Sequence, residues 1–147
     1  MPWNPNETDW IAQAEGLAGV ARPHHAVVPA AAAAADYEIA VFKAGASGIG
    51  TTLTRLSIIA DVAIAGAATN YQTLQFRQWR GGALVGTVPG ATTYATTANL
   101  AALTELALFS GAFALQPGDI ITLQSVHAGT GAALPALTAV VEASPSV

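Results

Sequence analysis

The chain has 147 residues, of which 52% are hydrophobic and only 10% are charged. This length fits one domain with a short extension and leaves little room for a second core. The composition excludes charge-driven disorder, because such chains combine low hydrophobicity with high net charge. Soluble domains usually carry about 25% charged residues. We therefore expect much of this charge-poor surface to lie against partners, since it has weak electrostatic protection against association.

The charge and the cysteine count exclude several classes of function. Five basic and nine acidic residues give a net charge of −4, and the basic residues are too sparse to neutralise a run of phosphates. We therefore expect no nucleic-acid binding. The absence of cysteine removes disulfides and thiolate metal sites. The charge-free stretches 81–104 and 120–141 are broken by proline, glycine and threonine, so we expect no membrane span and, from the N-terminal residues, no signal peptide.

Residues 1–36 differ in composition from the rest and are predicted to form an N-terminal arm and linker. Prolines within residues 1–6 favour an extended segment. Asn6 is suited to cap a short helix from about residue 7 to residue 15. The alanine run 30–35 is too short for an autonomous helix, so it indicates a linker or a packed stripe of small side chains.

Residues 37–147 show alternating hydrophobicity and are predicted to form an antiparallel β-sandwich. The clearest strand places the following side chains on one face: Leu56, Ile58, Ala60, Val62 and Ile64. Pro89-Gly90 and Pro117-Gly118-Asp119 predict turns, whereas residues 99–110 fit either a helix or a strand. Seven or eight short strands with turns every 8–12 residues are typical of an all-β sandwich or barrel.

No catalytic, metal or cofactor site is predicted. His127 ends a predicted strand, and its nearest acids in the sequence are Asp119 and Glu142, so we interpret it as a surface residue. His24 and His25 are neighbours that point to opposite sides of an extended chain and would chelate one ion poorly. A hydrolase that uses Ser47 or His127 is the most distant alternative.

Tryptophans supply the strongest candidate contact residues. Trp79, with Arg77 and Tyr71, fits a patch that binds sugar or protein, but we favour the interpretation that its side chain closes the edge of the core. Trp3 and Trp10 lie in the predicted arm. Each is suited to anchor the arm in a partner's pocket, unless the arm folds back onto its own domain.

The order of strands and turns from residue 52 to residue 142 carries a resemblance. A strand over 56–65 leads into the Gly66…Thr69-Asn70-Tyr71 turn, and a strand over 73–77 follows. A Pro117-Gly118-Asp119 turn then opens the strand that reaches residue 123, and the turn over 129–135 leads into a valine-rich strand. This pattern resembles the small β-sandwich proteins that decorate the heads of tailed bacteriophages.

The resemblance implies a fold, a location and partners. It implies a jelly-roll-like sandwich that sits on the outer surface of the virion capsid, binds over junctions of the major capsid protein, forms a homo-oligomer (a trimer by analogy) and has no enzymatic activity or cofactor. Members of this family often have arms that lie on the capsid, so we expect the N-terminal arm of this chain to do the same, with these candidate contact residues: Trp3, Asn4, Pro5, Trp10, Ile11 and Leu17. The alternative is a tail or fibre module that binds host carbohydrate through Tyr71, Arg77 and Trp79.

Overall fold

The computed structural model describes residues 21–45, 50–93 and 99–145, and these residues form eight strands and no helix. The strands are β1 Arg22–Val28, β2 Tyr37–Lys43, β3 Thr51–Ala60, β4 Tyr71–Arg80, β5 Ala83–Thr93, β6 Glu105–Leu115, β7 Ile120–Ala128 and β8 Leu137–Pro145. The short helix predicted near residues 7–15 lies outside the described residues. Within those described, no helix is long and apolar enough to cross a membrane.

The strands form two four-stranded antiparallel sheets. Their orders are β1-β8-β3-β6 and β2-β7-β4-β5. The pairs β1–β8, β2–β7, β3–β6 and β4–β5 are nested along the chain, which is the strand order of a jelly roll built from two Greek keys. The expected all-β architecture with two antiparallel sheets is therefore confirmed.

The core lies between the inner faces of the two sheets. On β4, Leu74 and Phe76 are fully buried, while Thr73 and Gln75 face outward, as the alternation predicts. The largest fully buried apolar side chains are Val28, Leu53, Leu56, Ile58, Leu74, Phe76, Val88, Ile121, Leu123, Leu137 and Val141. The prediction was wrong for Val62, which is 62% exposed because β3 ends at Ala60 and the chain bends there.

Part of the predicted arm belongs to the sandwich. Residues 22–28 form β1, which pairs along its whole length with β8, from Arg22 opposite Ala143 to Val28 opposite Leu137. Val28 is fully buried, and Pro23 is tolerated because β1 is an edge strand. The run 30–35 then carries the chain to the other sheet and is held by a bridge between residues 31 and 134.

Two ambiguous or turn-like segments are strands. Residues 105–115 form β6. Leu103, two residues before this strand, has a φ of 56°, which is incompatible with a right-handed helix at that position. Pro89 and Gly90 do not form the predicted turn but lie inside β5, where the register with β4 shifts between Gln75 and Arg77. Edge strands accommodate such bulges, since one side of β5 has no partner in its sheet.

Candidate functional site

The outer face of the β2-β7-β4-β5 sheet carries the predicted aromatic patch. Tyr71, Arg77 and Trp79 all lie on this face of β4, and each is half-buried. Arg77 and Trp79 are adjacent on the face. Tyr71 is eight residues from Trp79, roughly 26 Å along the strand, so the structure does not bring it into the same site.

Glu38 of β2 organises the site by accepting three hydrogen bonds. The indole Nε1 of Trp79 donates to Glu38 Oε1 at 2.6 Å, and the hydroxyl of Thr122 donates to the same oxygen at 2.6 Å. Arg77 Nη1 donates to Oε2 at 3.1 Å. Trp79 Nε1 also lies 3.2 Å from the hydroxyl oxygen of Thr122. Three strands therefore meet at one carboxylate.

The indole ring of Trp79 is fixed in place by this network. The guanidinium carbon of Arg77 lies 5.2 Å from the ring centroid, within the range of a cation–π contact. The interpretation of Trp79 as a side chain that closes the core is wrong: it lies on the outer face of β4, and its ring is held from the outer surface by Glu38, Thr122 and Arg77.

A solvent-open cleft of about 410 Å³ adjoins the ring. It is lined by Glu38, Ala40, Trp79, Gly81, Gly82, Ile120 and Thr122. Gly81 and Gly82 form the β4–β5 turn with φ of 55° and 81°, the pair of positive values that a type I′ hairpin requires. A Cβ at either glycine would meet no atom within 4 Å, so the rim beside Trp79 is open.

Comparisons with known proteins do not assign the fold of this chain. No protein-family model and no curated protein matches it. One solved structure that it is similar to is the structure of infectious bursal disease virus, Gx strain, at 17% sequence identity and a TM-score of 0.38. The match covers 85% of this chain and 33% of that chain, so this chain spans about a third of its length. The jelly-roll assignment rests on strand order alone.

The sequence did not reveal Glu38 or Thr122 as site residues. Glu38 and Ala40 share the outer face of β2. The registers of the β2–β7 and β4–β7 pairs determine which residue of β4 the Glu38 side chain can reach. Glu38 lies opposite Gln124, and its side chain reaches along the sheet to Trp79. Glu38 and Thr122 are polar residues on β2 and β7, but nothing in either local sequence shows that their side chains meet at Trp79.

A second polar centre lies where the β6–β7 turn meets β4. Asp119 is fully buried and receives two hydrogen bonds from Arg80, at 2.8 and 2.9 Å, and one from the Gln78 amide at 2.6 Å. The backbone amide of Gln116 also donates to it, at 2.9 Å, as expected for a turn aspartate. Arg80 is the largest of the causes that lower the pKa of Asp119 to about 2. These four hydrogen bonds connect the β6–β7 turn to β4, so we expect Asp119 to stabilise the fold.

His127 pairs with an acid that the sequence did not point to. Its ring Nδ1 and its backbone N both lie close to the same oxygen of Asp36, at 2.7 and 2.8 Å. Neither Asp119 nor Glu142, the nearest acids in the sequence, makes this contact. The hydrogen bonds from His127 lower the pKa of the Asp36 carboxyl. The pair ties the residue before β2 to the end of β7, while Ser47 lies outside the described residues.

The two neighbouring histidines, His24 and His25, both lie in β1. His24 packs edge-on against Phe42 with ring centroids 5.1 Å apart, at the edge where β1 and β2 approach each other. The described ranges contain no group of three or more histidines and acids that could hold a metal ion.

The predicted capsid-contact residues of the arm, namely Trp3, Asn4, Pro5, Trp10, Ile11 and Leu17, lie outside the described residues. The structure instead shows exposed apolar side chains at one end of the sandwich. Leu103 is 76% exposed and Val62 is 62% exposed, and the Leu103 amide donates to the carbonyl of Ala60. Both residues therefore lie near the end of β3, and we call this pair the β3-end patch.

Replacing Glu38 with glutamine is expected to loosen Trp79 without unfolding the chain. The glutamine side chain retains one carbonyl acceptor but loses the charge that holds Arg77, and hydrogen bonds to a charged group are the stronger kind. In the E38Q variant we expect a shift of the Trp79 fluorescence to longer wavelength and a loss in unfolding free energy of about 1 kcal/mol. Fluorescence in a Trp3→Phe, Trp10→Phe background checks this, and a spectrum unchanged by E38Q would contradict it.

Proposed function

We propose that this chain is a non-enzymatic structural virion protein that decorates the outer surface of a phage capsid. It binds over junctions of the major capsid protein and stabilises the shell. The observation that carries the proposal is that the segments behind the resemblance fold as strands and turns of a jelly roll, an architecture that capsid proteins use widely.

The match between those segments and the fold is detailed. The 56–65 pattern falls on β3 and the bend after it, and the 73–77 pattern falls on β4. Asp119 closes the turn before β7, as its hydrogen bond from Gln116 shows. Gly129 and Gly131 have φ of 62° and 63° in the turn before β8. This agreement supports the resemblance along most of the described chain.

The surface of the sandwich supports an assembled state. Exposed apolar side chains are more often found at protein contacts when they are grouped than when they are scattered. The β3-end patch groups Val62 with Leu103, and Leu103 adopts a left-handed conformation that is strained for a leucine. We propose that this patch faces a neighbouring subunit, either the capsid protein or another copy in a homotrimer.

The N-terminal residues supply the second contact in this proposal. Trp3 and Trp10 anchor the segment on the capsid, because tryptophans in a partner's pocket contribute disproportionately to binding. Two modest contacts on one chain then act together, and repetition over the shell raises the overall avidity.

Deletion of residues 1–20 is expected to weaken binding to undecorated capsids by at least tenfold while the sandwich still folds. The truncation must stop before Arg22, because β1 is part of the sheet and its removal would expose β8. Cosedimentation of capsids with the full chain and with the truncated chain measures the effect, and equal thermal melts show that the fold is retained.

A second variant tests the role of the arm separately from the decoration function. A Trp3→Ala, Trp10→Ala double variant should reproduce most of the loss, since it keeps the chain length. Equal binding by all three proteins would overturn the role of the arm. Failure of the full chain to bind any capsid of its source particle would overturn the decoration function.

A further inference from the structure

We propose that the Trp79 cleft is a binding site for a neutral sugar ring, a function separate from capsid binding. The cleft offers one flat aromatic side chain, one carboxylate and one hydroxyl within a volume of about 410 Å³. Sites for small molecules measure roughly 300–1,000 Å³ and combine apolar walls with a few placed polar groups.

The aromatic wall is organised before any ligand arrives. The indole N–H of Trp79 is held by Glu38 and Thr122, and Arg77 packs on the ring without lining the cleft. The ring therefore loses little rotamer freedom when a ligand stacks on it. A pyranose presents C–H groups on one face of its ring, and these fit the electron-rich face of an indole.

The carboxylate retains hydrogen-bonding capacity for a ligand hydroxyl. A carboxylate accepts about four hydrogen bonds through its two oxygens. Glu38 receives two at Oε1 and one at Oε2, so one acceptor position remains on Oε2. The charge of Glu38 is balanced by Arg77, at 3.1 Å. The site is thus neutral as a whole, which favours an uncharged polyhydroxyl ligand over an ion.

The remaining walls leave space for the edges of a ring. Ala40, Ile120 and Thr122 occupy neighbouring positions on the sheet surface, and Ala40 has the smallest side chain that a non-glycine residue can present. Gly81 and Gly82 carry no side chain to cover the opening. The cleft is open to solvent, and it offers a sugar unit an apolar wall together with the hydrogen-bonding groups of Glu38 and Thr122.

The test uses the full chain and a panel of free neutral sugars: glucose, galactose, mannose and N-acetylglucosamine, each titrated to high millimolar concentration. Saturation-transfer NMR reports binding from the ligand's side, and Trp79 fluorescence in a Trp3→Phe, Trp10→Phe background reports it from the protein's side. We expect at least one sugar to bind saturably and to alter the Trp79 emission.

Three variants locate the site. Trp79→Ala removes the stacking wall, and Ala40→Phe fills the cleft while leaving every hydrogen bond of Glu38 intact, so each should weaken binding at least tenfold. Tyr71→Ala is the matched control, since it lies on the same face far from the cleft and should bind as the wild type does. Thermal melts identify any variant that fails to fold. If Trp79→Ala does not fold, the Ala40→Phe variant tests the site alone, because Ala40 is exposed.

The outcomes are distinct. No binding of any sugar by the wild type, or binding unchanged in the folded Ala40→Phe variant, overturns the proposal. If the wild type binds no sugar and the Ala40→Phe variant loses capsid binding, the sugar proposal is overturned and the cleft is assigned to protein contact instead. Because capsid cosedimentation is measured separately, failure of the sugar site leaves the decoration function standing, and the converse holds as well.

Discussion

Replacing Asp119 with alanine is expected to lower the free energy of unfolding by about 3 kcal/mol, because a buried ion pair broken on one side leaves uncompensated partners. Asp119 is fully buried, and four donors point at its carboxylate. The Gln78 amide is itself buried, so it would lose its partner without access to water. Arg80 is partly exposed and can rehydrate, which keeps the loss at the lower end of the range for buried pairs.

Thermal and urea denaturation measure this loss, with a fall in Tm of roughly 10 °C for a chain of this size. Asp61→Ala is the matched control, since Asp61 is an exposed acid in the bend after β3 and its substitution should change the unfolding free energy by less than about 0.5 kcal/mol. Equal destabilisation by the two substitutions would contradict the assignment of Asp119 as a structural centre.

The same carboxylate predicts a pH dependence. Arg80 is the main cause that holds the pKa of Asp119 at about 2, below its ordinary value of 3.8. Because the folded state favours the ionised form, this stabilisation is complete above the ordinary pKa and is lost as the pH falls from 3.8 towards 2. The difference in unfolding free energy between the wild type and Asp119→Asn should therefore shrink over that interval. A difference that stays constant would contradict the pKa shift.

The strands with strong local alternation were predictable from the sequence, and an edge strand was not. In β4, buried Leu74 and Phe76 alternate with polar residues, so the local pattern alone orients the strand. In β1, the inward positions include His24 and Ala26, which give little hydrophobic contrast. The partner of His24 is Val141, more than a hundred residues later in the chain, and no local signal reports such a pairing.

Some residues of the candidate site could be predicted from the sequence, and others could not. Alternation placed Arg77 on the outer face of β4, and this was correct, whereas the favoured interpretation of Trp79 as a core-closing side chain was wrong. Glu38 and Thr122 come from other strands, so their arrival at Trp79 depends on register, which bulges shift by whole residues. Asp36 and Glu38 are two residues apart in the sequence, yet Asp36 contacts His127 and Glu38 contacts Trp79. The chemistry of the site therefore follows from tertiary structure.

The Pro89-Gly90 pair shows why the turn predicted there was wrong. Both residue types favour turns because of their backbone preferences. The same preferences serve a bulge in β5, where Gly90 has a φ of 104° and Pro89 needs no hydrogen-bond partner at a sheet edge. A local pattern that fits both structures cannot distinguish them, since the choice depends on the neighbouring strand.

Gly90→Ala is the substitution with the other large expected effect. A Cβ at Gly90 would collide with the backbone carbonyl of Leu108 in β6, so β5 of one sheet and β6 of the other approach each other backbone to backbone at this point. The left-handed backbone adds strain of about 1–3 kcal/mol, and overpacking against a rigid carbonyl adds a similar amount. We expect Gly90→Ala to lower the unfolding free energy by about 2–6 kcal/mol in total.

Gly86 provides the matched control in the same strand. A Cβ there would meet no atom within 4 Å, and its φ is not in the left-handed region. Gly86→Ala should therefore be neutral or slightly stabilising, because alanine restricts the unfolded chain more than glycine does. Urea denaturation of the two variants separates these expectations, and a loss of similar size in both would show that β5 responds to any added methyl group rather than to contact with Leu108.

The contact at Gly90 also affects how the protein associates. β5 and β6 are the free edges of their two sheets, and their close approach covers part of both edges. If Gly90→Ala separates them, unpaired backbone groups become available for pairing with other chains. We therefore expect this variant to form soluble oligomers at concentrations where Gly86→Ala does not, as measured by light scattering below the unfolding transition. A destabilised variant that stays in the oligomeric state of the wild type would assign the role of Gly90 to stability alone.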